Sequence, residues 1–293
     1  MDKVYFHLPG LFGFCDYYER FLYIYITERE KFNDWAEIGS VYGAPRSACW
    51  NGGRLSRSGS HDEDFILNFM KKYGINCRLT FSNSLIEEKH LNDIYCNALL
   101  EKFYWGHNSI IVNSPVLEDY IRVNYPNYGL ISSTTKCIQT QEGVEQELSN
   151  HYELVVLDYN FNKDFTFLSQ LKNKDKCELL INPVCMPNCP RRALHYKQIS
   201  LTALHEMVRE EILDCPYEGV KFYQAQANPL FISVDDIRSV YAPMGFKHFK
   251  IEGRSTSPDD LTEILLYYLV KPEYQLEIRE RIYFQGKKDD VKY

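Results

Sequence analysis

Two thiols on a proline-broken turn, Cys185 and Cys189, have the spacing best suited to chemistry in this chain. The segment reads Ile181-Asn182-Pro183-Val184-Cys185-Met186-Pro187-Asn188-Cys189-Pro190 and continues through two arginines to His195. A Cys-x3-Cys turn can aim two thiolates at one point. His195 can return as a third donor, and Cys215, also followed by proline, can complete a four-ligand shell. Such a set suits zinc or an iron–sulfur cluster. Pro187 and Pro190 stiffen the loop, so less entropy is lost when the donors are ordered. Two unbound thiols beside a surface histidine are the plainer alternative. A single Cys–His couple for nucleophilic catalysis is another, with no one cysteine marked as activated. The remaining cysteines read as packing residues: Cys77 and Cys177 begin strands, Cys96 fits a helix face, and Cys15, Cys49 and Cys137 have no matching partner.

A second group follows in Phe249-Lys250-Ile251-Glu252-Gly253-Arg254. Strand alternation puts Lys250 and Glu252 on one face and the apolar Phe249 and Ile251 on the other, so the two charges are expected to point inward as candidate catalytic groups. Gly253 permits a sharp exit, and Arg254 can grip a carboxylate or phosphate with two parallel bonds. A buried Lys–Glu pair that merely fixes the strand is the structural alternative, although buried charges are costly unless paired or useful. Other strand-end groups are Thr80, Asn113, Lys136 and Asn182 as substrate contacts and Asp158 as a general acid or base. Asp158 can equally cap the next helix. The segment Ser132-Ser133-Thr134-Thr135-Lys136 is a candidate anion grip or a plain polar strand exit. Loop 43–54, with glycine, tryptophan and arginine, reads as an ordinary long loop or a lid.

The Lys-Ile-Glu-Gly-Arg strand, following a cysteine-bearing segment after an Asn-ended strand, resembles the collagenase-like peptidase family U32. That resemblance implies a barrel core. It also implies either peptidase activity or a four-iron cluster supporting oxygen-independent or prephenate-dependent hydroxylation of RNA or quinone precursors. It implies too that Cys185 and Cys189 correspond to cluster ligands, with Glu252 and Arg254 lining the site. Family members usually carry four widely spaced thiolates. Here the pair is tight and Cys215 is the third, so His195 serves or one position stays open.

Elements that can position these groups alternate along the chain. Strand-like runs fall at 4–8, 37–42, 77–81, 109–112, 128–132, 154–158, 178–181 and 249–251, several of them near-continuously apolar, as parallel strands covered on both faces require. Amphipathic segments lie between them. Ser60 with Glu63 reads as a capping box, and Ser114-Pro115 and Ser257-Pro258 open helices. Eight such units predict one α/β domain over 1–293, a (βα)8 barrel whose working groups sit at the strand carboxyl ends. The absence of a Gly-x-Gly-x-x-Gly after the first strand argues against an open dinucleotide-binding sheet. Strands seven and eight are separated by an enlarged insertion, 183–247, which holds the cysteine cluster. Insertions at this end of a barrel usually carry function.

At 293 residues and 45% hydrophobic content the chain can fill a barrel core. Apolar stretches such as 264–270 are too short to cross a bilayer, and no signal peptide is read after Asp2 and Lys3. The expected location is therefore the cytoplasm, with no membrane partner. A net charge of −7 argues against broad nucleic-acid binding, while leaving room for a local basic mouth. Three functions compete: a metal- or cluster-dependent enzyme acting on a small molecule, peptide or nucleic-acid base; a metal-independent hydrolase; and a non-catalytic barrel with structural zinc serving as a binding module. No Ser-His-Asp order or zinc-protease helix motif singles out the second.

Overall fold

The computed structural model describes residues 2–54, 57–207 and 220–284, so Cys215 lies outside the described residues. Eight parallel strands close in sequence order: β1 Val4–Pro9, β2 Ala36–Gly43, β3 Cys77–Phe81, β4 Ser109–Val112, β5 Gly129–Ser132, β6 Leu154–Val156, β7 Cys177–Leu180 and β8 His248–Lys250, with β8 pairing back onto β1. The fold is the (βα)8 barrel expected from the strand spacing. Long helices follow most strands: α1 Cys15–Thr27, α2 Glu63–Tyr73, α3 Ile94–Phe103, α4 Pro115–Asn124, α5 Gln141–Ser149, α6 Phe165–Gln170 and α7 Arg192–Ala203. The insertion after β7 continues through the short α8 Phe222–Ala225 and α9 Val234–Asp236; α10 Pro258–Leu269 and α11 Gln275–Phe284 complete the ring.

Start signals work locally. Ser114 and Ser257 accept the backbone N–H of Leu117 and Asp260, each just ahead of a proline that cannot use its missing donor. The expected Ser60–Glu63 box does not form. Asp62 caps α2 by accepting from Phe65 at 2.8 Å, because the Ser60 hydroxyl donates to Asp16 at 2.6 Å instead.

The outer core is aromatic and aliphatic. Phe249 on β8 packs against Phe6, which in turn meets Tyr268 of α10. This is the helix-covered side that alternation assigned to Phe249. The barrel interior is divided. On the β4–β6 side it is filled by Ile111, Ile131, Leu154 and Val156, joined by Tyr42 from β2. Across from them, β1, β2, β3, β7 and β8 contribute His7, Ser40, Arg78, Glu178 and Lys250, all buried. Among the described residues no helix is long and apolar enough to cross a membrane.

Candidate active site

Glu178 organises the buried polar half. Its carboxylate accepts from Arg78 and from Lys250 at 3.2 Å, and His7 Nε2 lies 3.5 Å away. His7 Nδ1 meets Ser40 Oγ at 2.9 Å and its Nε2 faces His248 Nδ1 at 3.1 Å. Burial would push the Glu178 carboxyl up, but Arg78, Lys250 and His7 outweigh it and hold it far below the ordinary carboxylate range. Burial, helped by Arg78, drives His7 well down, and burial, with Arg78 and Lys247 adding to it against Glu178 and Asp175, lowers His248 to about 4, so both imidazoles are neutral at pH 7. Lys250 is lowered to about 8, chiefly by burial, with Arg78 and Arg254 adding to the fall and Glu178 opposing it. Its ammonium lies 4.1 Å from the Tyr42 ring centroid, a cation–π contact at the floor of the mouth.

The Lys–Glu pair expected within β8 takes a different form. Alternation does bring Lys250 and Glu252 to the same recess, but Lys250 is neutralised by Glu178 and Glu252 by Arg54. Register explains the first pairing. Glu178 stands opposite His248, one diagonal step from Lys250, within reach of a lysine side chain. Arg54 explains the second. It arrives from the loop after β2, pairs through Nε with the Glu252 carboxylate, and donates through Nη2 to Cys185 Sγ at 3.0 Å.

Glu252 is held on its backbone as well. Asn182, just past β7, donates to the Glu252 carbonyl at 2.9 Å and accepts its N–H at 2.7 Å, while the Val184 N–H reaches the carboxylate at 3.3 Å. The Asn182 amide thus acts as one further rung between β7 and β8, and its hydrogen bonds position Glu252. Replacing Asn182 with alanine is expected to cost about 1–3 kcal/mol, since two backbone groups lose their partners. Urea unfolding checks this, and a change below about 0.5 kcal/mol would contradict the rung.

Arg254 is buried and donates to Asn51 Oδ1 at 3.1 Å, Thr80 Oγ1 at 2.8 Å and the Gly52 carbonyl at 2.8 Å. Thr80, Arg254, Lys250, Glu252 and Arg54 line one recess of about 520 Å3, including its opening to solvent. A second recess of about 480 Å3, walled by Asn182, Phe222 and Ile264, shares Arg54, Glu252 and Gly253 with the first. The Arg54–Glu252 pair therefore stands between the two hollows.

The remaining sequence-selected groups fall elsewhere. Asp158 is committed twice: it caps the short turn that follows β6 by accepting from the Asn160 N–H at 3.0 Å, and it pairs with the buried Arg192 of α7. Arg192 also donates to Thr134 Oγ1 at 2.8 Å and stacks 4.3 Å from the Tyr159 ring centroid. Asp158 is thereby a tie between the barrel and the insertion, and of its two expected roles, general acid or base and cap, the cap is the one formed here. Lys136 does not reach the recess, because its ammonium contacts Glu147 and Tyr152 Oη, both at 2.8 Å. Of the candidate anion grip, the lysine is spent on α5, whereas Ser133 and Thr135 line the recess. Asn113 donates to Thr135 Oγ1 at 2.7 Å beside the rim.

Cys185 is buried, its carbonyl and that of Pro183 held by the Asn228 amide. Cys189 is half-buried, after Asn188 in a left-handed conformation at φ 51°, and His195 is half-buried on α7. Among the described residues, no three His, Cys, Asp or Glu donors within 4.8 Å of one another include Cys185, Cys189 or His195. The described donors thus do not form a closed zinc shell by themselves. Two sets do satisfy that distance: Cys49 with Asp93 and Cys96, and the more exposed Asp16 with Glu19 and His61. Sequence reasoning gave Cys49 no partner and Cys96 only a packing role. The fold brings their sulfurs to 3.8 Å because the loop that delivers Arg54 crosses the start of α3.

Sequence reasoning also missed Arg54, Arg78, Glu178 and Arg192 as site-forming residues. A usable signal existed for two of them. Arg78 and Glu178 are each the second residue of an otherwise buried strand, and charges of opposite sign in such positions call for each other.

No family model matches the chain. The chain is 24% identical over 218 residues to an uncharacterized protease of Methanocaldococcus jannaschii, a match covering 69% of this chain and 63% of that protein. It therefore spans less than two thirds of that relative's length. The solved structure of a U32 peptidase superposes with a TM-score of 0.53 at 12% identity, covering 88% of this chain and 93% of the other. The chain is thus similar in sequence to that protease and shares the barrel fold of that peptidase.

Proposed function

We propose that this divergent U32-like barrel is a hydrolase of the peptidase kind, with its chemistry at the mouth between Lys250 and Glu252. The observation that carries the reading is that both residues line one recess at the carboxyl end of β8, where barrel enzymes keep their reacting groups. Lys250, with a pKa of about 8, takes a proton from a bound water near neutral pH and returns it to the leaving amine. Glu252, fixed by Arg54 and by the Asn182 rung, orients that water. The guanidinium groups of Arg54 and Arg254 face the space in which negative charge develops as an acyl carbon is attacked. Two hollows with the Arg54–Glu252 pair between them suit a substrate that extends to both sides of the reacting bond, such as a peptide. The names of the similar proteins, a protease and a peptidase, support the same class.

The test is a cleavage screen over a broad peptide library with Glu252→Gln as control. Cleavage by the wild-type protein that falls at least about 100-fold in the variant supports the reading. No cleavage by wild type, or equal cleavage by both, rejects it.

A second reading makes the enzyme metal- or iron–sulfur-dependent, acting on a small molecule, peptide or nucleic-acid base, with Cys185, Cys189, His195 and Cys215 as ligands. What favours it is the position of Cys185, bridged to Glu252 by Arg54. Iron, sulfide and zinc analysis on anaerobically purified protein decides it. Metal-free protein that stays folded counts against it, and stoichiometric zinc without turnover favours a structural centre in a binding module.

A further inference from the structure

We propose that the mouth recess binds a carboxylate of its ligand, received by Arg254. This rests on the recess being the substrate site and adds the class of substrate. Three cations, Arg54, Lys250 and Arg254, line the recess against one carboxylate, Glu252. Arg54 is matched by Glu252, and Lys250 shares Glu178 with Arg78. Arg254 has no carboxylate within ion-pair distance among the described residues: the oxygens it meets on Asn51, Thr80 and Gly52 are all neutral. It is only 7% exposed, and arginine does not shed its proton. A buried permanent charge without a counter-charge is costly, and that cost is relieved when an anion enters.

The surrounding backbone is shaped for close approach. Gly53 sits at φ +78°, and a Cβ there would lie 2.9 Å from Arg254 Nη2. A Cβ on Gly52 would meet the Ser82 carbonyl at 2.2 Å. Gly53 thus lets the guanidinium lie against main chain at the recess, while Gly52 lets the loop pack closely on Ser82. Ser82, Ser133 and Thr135 add neutral hydroxyl donors to the same hollow. One surplus guanidinium with neutral hydroxyl donors suits a planar monoanion better than a phosphate dianion. The carboxylate can be the C-terminus of a peptide or that of a small organic acid.

Calorimetric titration of the full-length protein with peptides of one sequence, as free acids and as C-terminal amides, tests the proposal. Glutarate, acetate and inorganic phosphate are run beside them. The free acid should bind at least about 10-fold more tightly than the amide, and in Arg254→Gln that ratio should fall to about one. Should Arg254→Gln fail to fold, the acid-to-amide ratio of the wild type decides alone. Tight binding of glutarate without peptide-acid preference assigns the carboxylate to a small acid and sustains the proposal. Equal binding of acid and amide with no small-acid binding, a ratio unchanged in Arg254→Gln, or phosphate outcompeting every carboxylate overturns it. Carboxylate preference without any cleavage leaves this binding site standing and sinks the hydrolase reading instead. Cleavage without carboxylate preference does the reverse.

Discussion

Replacing Glu178 with glutamine is expected to lower the unfolding free energy by about 3–5 kcal/mol, the range seen when one member of a buried ionic cluster is removed. Glu178 is fully buried, and its single negative charge serves Arg78 and Lys250 together. Glutamine keeps the shape and removes the charge. Lys250 can respond by losing its proton, since its pKa already lies near 8, but Arg78 cannot. The uncompensated arginine therefore carries most of the loss. Adding Lys250→Met to Glu178→Gln should recover roughly a third of it, because one of the stranded cations is gone. The pH dependence has a definite sign. A carboxyl held far below its unfolded value contributes stability that is complete above about 4.5 and lost as the pH falls below it. Urea unfolding between pH 7 and pH 3 should show that loss in the wild type and a shallower one in Glu178→Gln. A variant within about 1 kcal/mol of wild type at pH 7 would mean that Glu178 is not the counter-charge of the barrel interior.

That cluster also marks where sequence reasoning stopped. The barrel itself was legible because each strand is a short, mostly apolar run bounded by turn residues. The β3 and β4 limits match expectation, and the others differ by a residue or two at one or both ends, as with Leu154–Val156 for the expected 154–158. Local chemistry was legible too, in the Ser114 and Ser257 caps and in the inward side of Lys250. Partnership was not. Arg54 lies in a loop with no periodicity, and only closure of the ring sets it against Glu252 and Cys185, far along the chain. Asp158 shows the converse case. A carboxylate at a strand end reads as available for proton transfer, yet Arg192 on the following insertion helix claims it. Spacing along a chain identifies which residues reach the mouth, whereas neutralisation depends on neighbours brought in by other strands.

The second large effect concerns Lys250. For the proposed hydrolysis, kcat/KM is expected to rise between pH 6.5 and 8.5 with a midpoint near 8, following conversion of the buried ammonium to the amine. Lys250→Met should lower kcat by about 10²–10⁴-fold and abolish that midpoint. Stability should respond differently from activity. Because burial lowers the lysine pKa from 10.5 to about 8, the folded protein binds fewer protons than the unfolded chain between those values. Stability therefore rises with pH across that window, and below it the ammonium costs the fold about 3 kcal/mol. Methionine removes that cost while leaving Glu178 paired with Arg78, so Lys250→Met should be at least as stable as wild type at pH 7, by up to about 3 kcal/mol. The neighbour supplies a further check. Glu178 holds the lysine pKa up, so Glu178→Gln should move the activity midpoint to lower pH. A structural lysine would give the opposite pattern: lost stability in Lys250→Met, with a pH–rate profile that neither variant shifts.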